Sequence, residues 1–135
     1  MVKKKIPNYT VIKDTREQRG WIFNKSDRCD GMRVETLKTG DYTLKGFEEM
    51  VCMERKFSVE EIATNLGKKK KAFGEEMKRM REFPFKFIIC EFTLDDLVNY
   101  PNSIFSEEMK KARPEFTKSK IAERKVTGKY LLKAL

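Results

Sequence analysis

From Tyr9 to Lys56 the chain reads with the two-residue period of strands, and from Ser58 onward with the three-to-four-residue period of helices. That change of period confines it to folds that combine a sheet with helices. In "YTVIKD", Thr10, Ile12 and Asp14 alternate with Val11 and Lys13, a strand that runs out at "DTREQRG". Gly20 permits a turn, and residues 21–31 form a loop with large apolar anchors at one end. A second strand is expected near residues 32–38, then the Gly40-Asp41 turn, a third strand over "YTLKG" and a fourth over "EMVCMERK". The first part of the chain is therefore a meander or mixed sheet.

Ser58 is suited to cap a helix through "VEEIATNLG", with Glu61 completing a capping box and Gly67 ending it. Phe73, Met77 and Met80 predict a second helix over 71–82, which Pro84 stops; both methionines read as core. "FKFIICEF" then predicts a buried strand. Thr93 caps a short helix or turn that ends at Pro101, "SIFSEEMKKA" predicts a helix before Pro114, and "KVTGKYLLKAL" another with an apolar side of Tyr130, Leu131 and Leu135. That side, with Leu132, needs covering, and a last helix ending at the final residue implies a partner or a continuing natural chain. Trp21 and Phe23, two residues apart, read as packing groups rather than base-stacking ones.

A length of 135 residues suits one domain with its own core. Thirty Lys plus Arg against 21 Asp plus Glu give a formal charge of +9, which favours an anionic partner such as nucleic acid but equally serves solubility. There is no histidine. Serine-histidine and cysteine-histidine hydrolysis, imidazole-bound zinc and histidine general bases are therefore excluded. The three cysteines, Cys29, Cys52 and Cys90, are odd in number and scattered, and read as small buried hydrophobes in a reducing compartment. "MVKKKIPNY" has no apolar leader core, and no stretch is apolar enough to span a membrane. An intracellular location, cytoplasmic or nuclear, is expected.

The chemistry-bearing residues gather at strand ends. After Val51, Cys52 and Met53 come Glu54, Arg55 and Lys56, and alternation puts Glu54 and Lys56 on one face with Arg55 on the other. Asp14, Glu17 and Asp41 also sit at or near strand ends, where a sheet can bring distant carboxylates together. Such a set suits a hard divalent ion beside a phosphodiester, with Lys56 able to position water or stabilise charge on phosphorus. Charged residues at strand ends are as readily solvated caps, so spacing leaves both readings open. Lys68, Lys69, Lys70 and Lys71 open the second helix with charge that its N-terminus disfavours, which suits contact with phosphates as well as simple solvation; Lys78 continues the track, and Arg19 and Lys25 are weaker candidates.

"DTREQRGWIF", "LKTGDYTL", "VCMERKFSVEEI" and "FPFKFIICEF", in this order, resemble the nuclease domain of the XPF/Mus81 structure-specific endonucleases, a branch of the restriction-endonuclease-like superfamily. The resemblance covers most of residues 9–95. It implies a three-layer α/β/α domain with a central mixed sheet, hydrolysis of DNA at branches, flaps or junctions with Mg2+ or Mn2+, and assembly as a homodimer or heterodimer. It also implies Asp41, Glu54 and Asp14 as metal ligands, Glu17 as a further acidic group and Lys56 as the catalytic lysine. Arg16 would support that site or touch phosphate; apart from the resemblance, Arg19 and Arg55 are further candidate DNA contacts beside Lys68–Lys71. The family's aspartate after the ERK motif falls on Glu60, a supporting carboxylate with longer reach. The family's helix-hairpin-helix segment has no counterpart here, and the domain's final strand and helix are absent from the pattern. A catalytically silent DNA-binding or partner subunit is the alternative; an RNA binder is disfavoured because no aromatic platform is evident.

Overall fold

The computed structural model describes residues 5–135; residues 1–4, part of the basic start read above as lacking a leader, lie outside the described residues. Five strands, β1 (Tyr9–Asp14), β2 (Cys29–Glu35), β3 (Tyr42–Leu44), β4 (Val51–Lys56) and β5 (Phe85–Cys90), form one sheet in the order β2-β1-β3-β4-β5. β1 runs parallel to β2, with Asp14 opposite Glu35, and antiparallel to β3, with Ile12 opposite Thr43. β3 is antiparallel to β4, Tyr42 facing Met53. The sheet is therefore mixed. The helices are α1 (Val59–Leu66), α2 (Lys70–Arg81), α3 (Leu94–Val98), α4 (Glu107–Ala112), α5 (Pro114–Ala122) and α6 (Gly128–Ala134), and the architecture is α/β. No helix among the described residues is long and apolar enough to cross a membrane.

Contacts divide the chain into two compact units. The first comprises Met1–Arg55 and Glu76–Ile89, and its core is built on Val11, Ile12, Tyr42, Cys52 and Met80. Trp21 stacks on Tyr42 with ring centroids 5.1 Å apart, and Phe23 meets both rings edge-on, the packing role expected of this pair. The second comprises Lys56–Glu75 and Cys90–Leu135, with Ile62, Leu66, Leu97, Tyr100 and Leu131 at its centre. There α6 packs on α1 and α3, and Gly128 lies so close to the Leu97 and Val98 carbonyls that a Cβ would collide with them.

Several expectations are corrected. β5 is not buried: it is the sheet's edge strand, and Phe85, Phe87 and Ile88 are exposed. Cys90 at its end is exposed too, whereas Cys29 and Cys52 are buried. Residues 103–112 are not one helix, because a 3-10 turn (Asn102–Ile104) gives way to extended backbone at Phe105 before Ser106 caps α4. α5 occupies a stretch where no element was expected, opened by Pro114 in its first turn. On α6 only Leu131 of the apolar side turns inward; Tyr130, Leu132 and Leu135 are exposed. Ser58 does cap α1 by accepting from the Glu61 N–H, but the Glu61 carboxylate accepts from the Phe57 N–H instead of closing the box.

Candidate active site

In the first unit, β1 ends in a turn organised by Asp14, which is 2% exposed. Its Oδ1 accepts from the Leu37 N–H and from an Arg16 guanidinium nitrogen, and its Oδ2 accepts from the Arg16 N–H and Nε. Burial pushes the Asp14 pKa up, but the hydrogen bonds from Arg16 and Leu37 and the charge of Arg16 outweigh it, holding the carboxyl below its ordinary range. Both oxygens are thus engaged by protein donors. The Arg16 side chain, largely exposed, is held by Asp14 and by the Leu37 carbonyl, so the guanidinium is pre-oriented at the surface.

Asp41 is fixed by the turn before it. Gly40 has φ +80, and a Cβ there would stand 2.6 Å from Cys52 Sγ, so the backbone lies directly against β4. The Asp41 N–H donates to the Met53 carbonyl, the Asp41 carbonyl accepts from the Asp14 N–H, and Asp41 Oδ2 accepts from the Arg55 N–H at 2.8 Å. The "DTRE", "GD" and "ERK" elements are thereby tied together by hydrogen bonds.

β4 alternates in burial only as far as Met53; its last three residues, Glu54, Arg55 and Lys56, are all buried. Glu54 and Arg55 are 5% and 7% exposed. The Arg55 guanidinium lies 3.7 Å from Glu17 and 5.7 Å from the centroid of the Trp21 ring. It is an internal group, which places it otherwise than as a phosphate contact, while Glu17 serves as its counter-charge. Arg19 lies on the exposed turn, its N–H donating to Glu17.

In the second unit, Lys56 is 2% exposed, with its ammonium 3.7 Å from Glu61 and 5.2 Å from the Phe73 ring centroid. A lysine this deep is held by a carboxylate on one side and a π face on the other. Glu60, in the first turn of α1, accepts from the Arg124 guanidinium, which also donates to the Lys120 carbonyl. It also lines a shallow cavity of about 420 Å³ with Phe57, Phe92, Asp96 and Ile104. Lys68–Lys71 are all exposed, at the approach to α2 and in its first turn.

One nearby group escaped the reading of the sequence. Glu76 lies on α2, three residues before Arg79, whose Nε donates to Thr39 Oγ1 beside the Gly40-Asp41 turn. Its charge, with those of Asp14 and Asp41, acts on the Arg16 guanidinium. The buried Cys52 thiol is pushed up to about 11, first by burial and then by the charges of Glu54, Glu76 and Asp41. The available signal was helical spacing: Glu76 falls between Phe73 and Met80, both buried, on one face.

Among the described residues no three His, Cys, Asp or Glu side chains converge into a ready-made metal cage. Magnesium, however, is ordinarily held by one or two carboxylates with waters and substrate phosphate completing its shell, and Asp41 and Glu54 have the hard oxygen chemistry for that. Compared with family models, with curated proteins and with solved structures, the chain matches none of them.

Proposed function

We propose that the chain is a metal-dependent DNA endonuclease of the XPF type, on a restriction-endonuclease-like fold, cutting phosphodiester bonds at branched, flap or junction DNA. The observation that carries this reading is the 2.8 Å hydrogen bond from the Arg55 N–H to Asp41 Oδ2, which sets the acidic turn against the strand that bears Glu54 and Lys56. Three consecutive ionisable residues buried at the end of one strand are costly to retain for stability alone.

In this proposal Asp41 and Glu54 hold Mg2+ or Mn2+. Such an ion, when bound, polarises a phosphoryl oxygen and lowers the pKa of an attacking water. Lys56, which strand alternation puts on the same face of β4 as Glu54, would position that water or stabilise charge developing on phosphorus. Asp14 stands behind the ligands rather than among them, since its oxygens are occupied, and it presents Arg16 to a phosphate. Lys68–Lys71 track the backbone without reading bases. Glu60 supports the second unit through Arg124, and a dimer, of like or unlike chains, remains the proposed native state.

The deciding experiment is a cleavage panel of linear, flap, Holliday-junction and RNA substrates with and without Mg2+ or Mn2+, run on wild type, Asp41→Asn and Glu54→Gln. Metal-dependent cutting of branched DNA that both variants lose is expected. Binding of branched DNA with no cutting under any metal would establish the silent-subunit alternative.

A further inference from the structure

We propose that Glu61 is a positioning residue for Lys56, its carboxylate fixing where the lysine ammonium stands during hydrolysis. This role rests on the nuclease reading above and falls on a residue to which the resemblance gives none. Lys56, Phe57, Ser58, Glu61 and Phe73 all belong to the second unit. Ser58 Oγ accepts from the Glu61 N–H at 3.2 Å, which sets Glu61 in the first turn of α1. In a capping box its carboxylate would turn back to the Ser58 N–H. Here it reaches one residue further, and Oε2 accepts from the Phe57 N–H at 2.8 Å. The other oxygen, Oε1, stands 3.7 Å from Lys56 Nζ.

A lysine carries its charge on a flexible four-carbon stem, and an ammonium used at one place in a reaction needs its direction set. The buried Lys56 ammonium has two neighbours that can do so, the Glu61 carboxylate and the Phe73 ring, whose centroid is 5.2 Å away. The carboxylate is itself tied to the backbone by its hydrogen bond from Phe57, so it passes a fixed position on to the ammonium. The adjacent acid is committed elsewhere. Glu60, where the resemblance puts a supporting carboxylate, accepts from Arg124 Nε at 3.0 Å and from a second nitrogen of the same guanidinium. Two neighbouring carboxylates thus divide the work: Glu60 joins α1 to the chain just past α5, and Glu61 joins it to Lys56.

A double-mutant cycle on the full chain separates positioning from packing. Glu61→Gln keeps an acceptor for the Phe57 N–H and removes the charge facing Lys56. Single-turnover cleavage of saturating branched DNA with Mg2+ is expected to slow by about 10-fold in Glu61→Gln, with DNA affinity by anisotropy unchanged. Adding Glu61→Gln to Lys56→Met is expected to slow cleavage no further. Urea unfolding of the same four proteins reads the contact without activity: Glu61→Gln should lower the midpoint of the wild type more than that of Lys56→Met. Coupling in urea beside a wild-type cleavage rate in Glu61→Gln would overturn the proposal and leave a structural ion pair. Equal slowing in both backgrounds, or no coupling in urea, would overturn it too, as would a Lys56-dependent loss in Glu60→Gln that Glu61→Gln lacks. No cleavage by the wild type under any metal would overturn the nuclease reading and this proposal together.

Discussion

Lys56 and Asp14 are both about 2% exposed, yet their surroundings ask different things of them. Lys56 has the Glu61 carboxylate 3.7 Å from its ammonium and the Phe73 ring face beside it, an arrangement that holds the charge of a buried lysine. Truncating it to alanine would open a cavity, so Lys56→Met is the cleaner test. Under the proposed mechanism it should cut saturated DNA at least ~10²-fold more slowly in single-turnover assays while binding DNA normally by anisotropy. Wild-type cutting would make the ERK triplet a structural strand end. Asp14 instead spends its whole carboxylate on the turn, and Asp14→Asn should cost ~1–3 kcal/mol in urea unfolding at neutral pH. Its folded pKa is lowered from 3.8, so the carboxylate's contribution is complete above that value and is lost as pH falls through the lowered one. Wild type should accordingly lose stability below about pH 4 more steeply than Asp14→Asn, as parallel urea curves would reveal.

At the level of elements, strand β1 was legible to the residue, because its alternation and the turn after it agree. The extents of α1 and α2 were legible within a residue or so for the same reason: Ser58, Gly67 and Pro84 punctuate them. What the sequence concealed depends on place. "FKFIIC" has the composition of a central strand, and composition does not say that β5 is last in the order. α5 lacks a well-defined apolar stripe, Phe116 being exposed and Thr117 buried, so periodicity passes over it. The acidic motifs could be placed at strand ends, but not the hydrogen bonds that allot Asp14 to a turn, nor the ion pair that sets Arg55 against Glu17. The turn holding Asp41 is the most sensitive element. Gly40→Ala would force a side chain into the left-handed region against Cys52 Sγ. It should cost about 1–3 kcal/mol from the backbone alone, and more with the contact. Calorimetry would show a lowered midpoint, and Mn2+ affinity should fall with it as Asp41 shifts.

For the whole molecule, under the proposed reading, a formal charge of +9 would make DNA affinity a function of salt before it is a function of sequence. Replacing Lys69 and Lys70 together by glutamine should weaken binding and reduce the slope of log affinity against log salt by roughly 2, with little effect on cutting at saturation. An unchanged slope would remove that run from the interface. The outermost strand brings another consequence, one for handling and lifetime rather than catalysis. β5 offers unpaired backbone flanked by Phe85, Phe87 and Ile88, and natural edges of this kind are normally guarded by a lysine that repels a second strand. Here Lys86, the only charge on β5, folds back onto the Arg81 and Phe83 carbonyls at the end of α2. The edge has its gatekeeper turned away, and warmed or concentrated solutions should shed protein into β-rich aggregates. Ile88→Lys should delay that loss in light scattering, a second guard posted where the first has been called to other duty.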